Sequence, residues 1–161
     1  MKEIPLTRGL VAIVDDEDYE MLMQWKWRAH KSSDGYGYYA ETLKWHPRVD
    51  LKMHRLVAMA SKGEIVDHIN HNKLDNRRVN LRICTPAGNC ANSMIRKDNT
   101  TGYKGVSLRG NGKYVSAIRE NGKRNQLGTF LSPELAAAVY DAAALRIFGE
   151  YALTNKMMGL L

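Results

Sequence analysis

Apolar and polar positions alternate with two different periods along the chain, and each change of period marks an expected element. Leu10–Val14 is an apolar, β-prone run. Asp15–Asp18 then supplies an N-cap and acids suited to a helix N-terminus, and the helix is expected to run through about Trp25. Trp25 and Trp27 alternate with Lys26 and Arg28, the period of a half-buried strand. Gly35 and Gly37 mark a turn before a run over Tyr38–Thr42. In Met53–Ser61, the apolar residues Met53, Leu56, Val57 and Ala60 recur at helical spacing, which predicts an amphipathic helix. Ile65–Asn70 is short and β-like, His71–Arg78 is a polar loop, and Asn80–Cys84 is a second strand or tight extended segment. Thr85 caps a further helix, with Pro86 in its first turn, running through Asn89 to about Met94.

Beyond a polar linker at Ser93–Thr101, three β-like runs follow at Tyr103–Leu108, Lys113–Arg119 and Arg124–Phe130. Gly110-Asn111-Gly112 and Asn121-Gly122 separate them and read as hairpin turns, since both need positive φ. Ser132-Pro133-Glu134 starts an alanine-rich helix from Pro133 to about Phe148, and Gly149 stops it. The expected fold class is α+β: an N-terminal mixed unit, a ββα module, then a three-stranded antiparallel sheet packed on one helix. The expected division is 1–92, a linker over 93–101, and a second domain over 102–156.

Composition narrows the function classes. The chain has 161 residues, with 44% hydrophobic and 25% charged positions, so global disorder is excluded. No apolar run approaches the ~20 residues that cross a bilayer, and MKEIPLTRG lacks the apolar stretch of a signal peptide, so a cytoplasmic protein with no membrane partner is expected. Cys84 and Cys90 are too few for a disulfide framework and lack zinc-knuckle spacing. The net charge of +7 is unevenly spread. Residues 1–50 carry 7 bases and 9 acids, residues 51–92 carry 7 and 3, and residues 93–131 carry 8 and 2. Charge alone fits a nucleic-acid partner and a solvated basic surface equally well. The acidic balance of the first 50 residues makes their aromatic cluster read as core, not as a base-stacking platform.

The span Asp67–Asn89 carries the candidate chemistry. Asp67 and the Asn89 carboxamide oxygen suit a hard metal. His68 is neutral near physiological pH and can take a proton from water. Asn80 can hold one imidazole nitrogen so that the other faces the nucleophile. Adjacent strand residues face opposite ways, so Asp67 and His68 serve one site only near a strand end or bend. Taken singly, each residue has a plainer reading: Asp67 as a turn cap, Asn80 as a satisfied loop amide, Asn89 as an ordinary helix polar residue. His54 suits core packing or a phosphate contact, Asp75 and Asn76 suit turn shaping, and His46 and His71 have exposed-loop contexts.

HRLVAMASKGEIVDHINHNKLDNRRVNLRICTPAGNCAN resembles the HNH nucleases, with Asp-His, then Asn twelve residues after the His and Asn nine residues later. The match covers about His54–Asn92. The resemblance implies a ββα-metal fold that cuts nucleic acid, with Asp67 and Asn89 holding a divalent metal, His68 as general base and Asn80 orienting it. An oxygen-only, sparse ligand set favours Mg²⁺, with Mn²⁺ as a substitute, and no small-molecule cofactor is expected. Asn89 stands where the family name has His, a variant also found among phage homing-type members.

A second resemblance covers about Thr101–Asn155, carried by Tyr103-Lys104-Gly105-Val106, Tyr114–Arg119, Leu127–Phe130, Ala136-Ala137 with Tyr140-Asp141, and Gly149–Ala152. This segment is similar to the plant AP-two/ERF DNA-binding domains, whose sheet lies in the major groove. By that likeness Lys104, Arg109, Lys113, Tyr114, Arg119, Lys123 and Arg124 face DNA. Tyr114 replaces the usual Trp and Ser107 a frequent Arg, which leaves the plant target sequence without support. Together the modules resemble phage or bacterial homing endonucleases acting on double-stranded DNA, with a monomer favoured. The rival reading is a non-catalytic transcriptional regulator on a degenerate nuclease fold. A nuclease acting on RNA fits less well, since A-form RNA hides the major groove.

Overall fold

A computed structural model describes residues 1–33, 35–45 and 48–161, and for residues 44, 45, 48 and 49 the backbone alone. His46, expected in an exposed loop, lies outside the described residues. The chain forms two compact units, Met1–Cys84 and Thr85–Leu161. The architecture mixes α and β, with small antiparallel sheets and few helices.

In the first unit, β1 (Lys2–Pro5) pairs antiparallel with β2 (Val11–Val14). β1 has no counterpart in the expected elements, because its alternation is only four residues long. Helix α1 (Asp16–Met23) follows, with Asp15 at the N-cap position. The Asp15 carboxylate makes no cap bond; its Oδ2 instead accepts from the Arg78 backbone N at 2.8 Å. Residues 25–27 are not a strand. Trp27 is buried, its indole Nε1 donates to the Leu22 carbonyl at 2.8 Å, and its ring meets Trp25 edge-on at 6.1 Å. The alternation of Trp25 to Arg28 therefore records a tryptophan folded back on the helix end. β3 (Arg28–Lys31) begins just after it, and β3, β4 (Tyr38–Trp45) and β5 (Arg48–Lys52) form a three-stranded antiparallel sheet. Helix α2 is shorter than its apolar pattern suggests, Met53–Val57. Ile4, Val14, Leu22, Met53 and Val57 form the centre of this unit's core.

The hairpin that carries the candidate chemistry is β6 (Ile65–His68) against β7 (Leu81–Cys84), with Asp67 opposite Arg82 and His68 opposite Leu81. Ile13 ties this hairpin's loop to β2: its N donates to the Leu74 carbonyl and its carbonyl accepts from Asn76 N, both at 2.8 Å.

The second unit opens with α3 (Pro86–Ala91), whose cap is Thr85, its side chain accepting from Gly88 N at 3.1 Å. β8 (Val106–Leu108), β9 (Tyr114–Glu120) and β10 (Lys123–Phe130) form an antiparallel sheet in the order β8-β9-β10. The β9–β10 turn has φ 50° at Asn121 and 77° at Gly122, as its sequence requires. Helix α4 spans Pro133–Phe148, with the Ser132 hydroxyl accepting from Leu135 N. Ile118, Tyr140 and Ala144 share one apolar cluster, and Val106, Ala136 and Ala137 another. Gly105 has φ 77°, and a Cβ there would fall inside the Tyr140 ring, so only glycine fits. After α4, Asn155 is locked to Asp141 through its N and Nδ2, both at 2.8 Å.

Segment 93–101 is also knit into this unit. The Asn99 side chain accepts from Thr101 N at 3.0 Å and Gly102 N at 2.7 Å, and the Ser93 carbonyl accepts from Lys104 Nζ at 2.7 Å. No helix among the described residues is long and apolar enough to cross a membrane.

Candidate functional site

His68 is the last residue of β6, the position at which a strand can turn two neighbouring side chains toward one site. The twelve-residue stretch after it is held by its own amides. Asn80 Oδ1 accepts from Asn70 N at 2.9 Å, and Asn80 Nδ2 donates to the Asp75 carbonyl at 2.7 Å. The Asn80 carbonyl accepts from Ile69 N at 3.0 Å. Asn80 thus shapes the backbone leaving His68, with both ends of its amide spent on the loop. Asp75 is buried and clamped by Arg77, whose Nε and terminal nitrogen donate to its two oxygens at 2.7 and 2.6 Å. That bond is the main reason the Asp75 carboxyl sits below its ordinary range. Arg78 anchors the far side of the loop to α1 through Asp18, at 2.6 and 2.9 Å.

Asn76, fully buried, faces His68: its Oδ1 lies 3.4 Å from His68 Nε2. Its Nδ2 donates to the Leu74 carbonyl at 3.2 Å, which fixes the amide with oxygen toward the ring. A carbonyl oxygen only accepts, so a bond to it from Nε2 requires the tautomer with the proton on Nε2 and the lone pair on Nδ1. Burial lowers the His68 pKa, opposed by the Asn76 contact, Asp67 and Asp75 and assisted by Lys73. The imidazole is therefore neutral at neutral pH, the state that a proton acceptor requires.

Asp67 is buried, and its Oδ2 accepts from Arg82 Nε at 3.1 Å and from a terminal nitrogen at 2.9 Å. Among the described residues no group of three or more His, Cys, Asp or Glu side chains could hold a metal. A protein cage of the zinc type is thus absent from this set. Asp67 supplies hard carboxylate oxygens of the kind that a well-hydrated divalent cation accepts. Asp67, His68 and Asn80 gather at one end of the β6–β7 hairpin, while Asn89 lies on α3 of the second unit.

Two neighbours of His68 were not legible as such. The Asn76 contact follows from the loop's path, and no spacing rule announces it. Tyr39, read with the N-terminal aromatics as core, has its ring 6.1 Å from that of His68. His54 is buried, its ring 5.1 Å from His68, and burial first, then His68, Lys52 and Arg55, pull its pKa down to about 3. His54 is packed in this unit's interior against the rings of Tyr39 and His68. His71 adopts φ 64°, and its N donates to the His68 carbonyl at 3.1 Å.

In the second unit, period-two alternation sets Arg119 on the face opposite Ile118, which packs toward α4. Arg124 is its register partner, and Arg109 reaches Gln126 at 3.5 Å. Arg109, Lys113, Arg119, Lys123 and Arg124 are all exposed. Tyr114 instead packs with Tyr103 and Phe130 against the Val106, Ala136 and Ala137 cluster. Lys104 turns inward. Its Nζ donates to the carbonyls of Ala91, Ser93 and Leu153 at 2.6, 2.7 and 3.1 Å, so its three hydrogens are spent within the unit. Burial pulls its pKa down to about 8, and this lysine joins α3 to the chain after α4 instead of reaching for phosphate.

The sequence pattern of the HNH endonuclease family matches residues 51–91. An uncharacterized HNH endonuclease of Acanthamoeba polyphaga mimivirus is 31% identical over 156 residues, covering 93% of this chain and 77% of that protein. An ethylene-responsive transcription factor of Arabidopsis thaliana is 51% identical over 55 residues, 33% of this chain and 23% of that protein. A second such factor from the same plant is 42% identical over 81 residues, 44% of this chain and 32% of that protein. With the family's pattern lying on the hairpin that carries Asp67 and His68, and a relative aligned along nearly the whole chain, this protein belongs to the HNH endonuclease family.

Proposed function

We propose that the chain is a metal-dependent DNA endonuclease of the homing or nicking kind, whose segment 102–156 helps it choose where to cut. The observation that carries this reading is the buried His68 beside Asp67 at the end of β6, its Nε2 3.4 Å from Asn76 Oδ1. His68 takes the proton from a water at Nδ1, and that water attacks phosphorus. Asp67 and Asn89 are the residues that would hold a divalent cation, Mg²⁺ by preference with Mn²⁺ as substitute. When bound, it supplies charge neutralisation at the phosphate and the departing 3′ oxygen. Asn80 and Asn76 are positioning residues, the first through the loop backbone and the second through the imidazole. The exposed arginines and lysines of β9, β10 and the turns beside them contact DNA. The 55-residue likeness to plant transcription factors supports that role. Modules over 1–92 and 102–156 remain our functional division, in a cytoplasmic setting.

The test is incubation of the purified chain with supercoiled plasmid, with Mg²⁺ or with a chelator. Nicked circles or linear DNA are expected with the cation, and His68→Ala should lower the rate by ~10²–10⁴ while DNA affinity stays within a few-fold. Binding without any cleavage in Mg²⁺ or Mn²⁺ would instead support the regulator reading. Near wild-type cleavage by the alanine variant would remove His68 from the chemistry.

A further inference from the structure

Four side chains of the first unit, from three stretches of chain, converge on the ring of Tyr39. Its centroid lies 5.1 Å from the His54 ring and 6.1 Å from the His68 ring. Lys52 Nζ, from the end of β5, is 5.2 Å from the same centroid, and Lys73 Nζ, from the loop after β6, is 5.0 Å from it. Lys73 also donates to Ser32 Oγ at 2.8 Å and to the Tyr36 carbonyl at 2.9 Å, which fixes where its charge sits. The Lys52 side chain makes no hydrogen bond or ion pair among the described residues. Its cross-strand neighbour Glu41 is instead bonded to Arg28 at 2.9 Å.

Gathering two ammonium groups around one ring is not explained by the ring. An exposed cation–π contact is weak, and two ammoniums each about 5 Å from one centroid repel. The arrangement suits an anion held close to the imidazole. Lysine ammoniums bind phosphate as point charges, and a tyrosine face stacks on a sugar or base.

Building on the nuclease reading, we infer that Tyr39, Lys52 and Lys73 form a phosphodiester-binding subsite beside His68, which grips the DNA strand at the point of cutting. His54 is the uncharged wall behind it, holding Tyr39 and His68 in register. The first unit thereby has its own hold on the DNA backbone, despite the acidic balance of residues 1–50.

The experiment uses the full-length chain and a fluorescent random-sequence DNA duplex in metal-free buffer, with affinity measured across a salt series. The slope of log affinity against log salt should shrink by about 0.9 for Lys52→Gln and by about twice that for the Lys52→Gln, Lys73→Gln pair. Arginine at both positions should restore it. Single-turnover nicking of saturating plasmid by the double variant should slow about tenfold or more, because the strand is no longer held against His68. An unchanged slope for Lys52→Gln, whose side chain makes no hydrogen bond or ion pair among the described residues, would overturn the subsite even if the double variant misfolds. A reduced slope with undiminished single-turnover nicking would overturn its placement beside the cut. Binding is measured without metal, so a wild-type chain that never cuts would defeat the nuclease reading and leave the slope test standing.

Discussion

Burial, with His68, Lys52 and Arg55 close by, pulls the His54 imidazole down to about 3 from its ordinary 6.5. The consequence for stability has a definite sign. In the unfolded chain His54 takes up a proton below about pH 6.5, while in the folded chain it stays neutral until about pH 3. Protons therefore favour unfolding throughout that window, and stability declines as pH falls through it. The loss from this one residue should reach about 2 kcal/mol by pH 5, and His68, shifted the same way, adds to it. His54→Phe fills the same space with a ring that cannot titrate, so its urea midpoint should vary less between pH 6.5 and 4.5. An unaltered pH dependence would show that His54 is not buried as described. Asn80 makes a second residue-scale case. Asn80→Ala strands Asn70 N and the Asp75 carbonyl, each at about 1–3 kcal/mol if left without a partner. Chemical denaturation should show a loss of that order. Asn80→Asp keeps the acceptor for Asn70 N but sets an oxygen against the Asp75 carbonyl, so it should not restore stability.

At the scale of elements, the lysine that looked like a DNA contact holds secondary structure together. Lys104 gathers carbonyls from the end of α3, from Ser93 and from Leu153. Lys104→Met retains length and apolar bulk but takes the ammonium from three carbonyls, of which that of Ala91 keeps Leu153 N as a donor. A buried carbonyl left without a donor costs about 1–3 kcal/mol, and differential scanning calorimetry should register the loss as a lower melting temperature. DNA affinity measured well below that temperature should change little. A variant with wild-type melting and weakened DNA binding would return Lys104 to the phosphate-contacting set. The β6–β7 hairpin shows the converse: its register puts Arg82 directly opposite Asp67, so an ion pair follows from strand pairing alone.

For the whole molecule, the prediction concerns where sequence choice is held. Arg119 and Arg124 are register partners on one exposed face of the second unit's sheet. If Arg119 reads a guanine edge, Arg119→Ala should weaken the preferred site by about 1–3 kcal/mol and leave unrelated DNA bound nearly as before. A phosphate contact would weaken all sequences alike and lower the salt slope by about one unit. Competition binding against a randomised duplex pool separates the two, and an unchanged pool preference would place recognition outside this sheet.

Signals confined to a few neighbouring residues were legible from the amino acids alone. Ser132, Pro133 and Gly149 bound α4 at Pro133–Phe148, Asn121-Gly122 closes the β9–β10 hairpin, and Thr85-Pro86 starts α3. Caps and tight turns are local because their hydrogen bonds close within a few residues, and the Asp-His…Asn…Asn spacing is readable because it lies in one stretch of sequence. Folding alone decided what distant segments bring to each other. Strand β1 exists through its pairing with β2, and the inward course of Lys104 depends on carbonyls as far away as Leu153. Asn76 meets His68 because β2 captures its backbone through Ile13, and Tyr39 meets His54, His68, Lys52 and Lys73 across four stretches of chain. The polar groups around a candidate base are set by tertiary contacts, because side chains that share a site need share nothing in sequence.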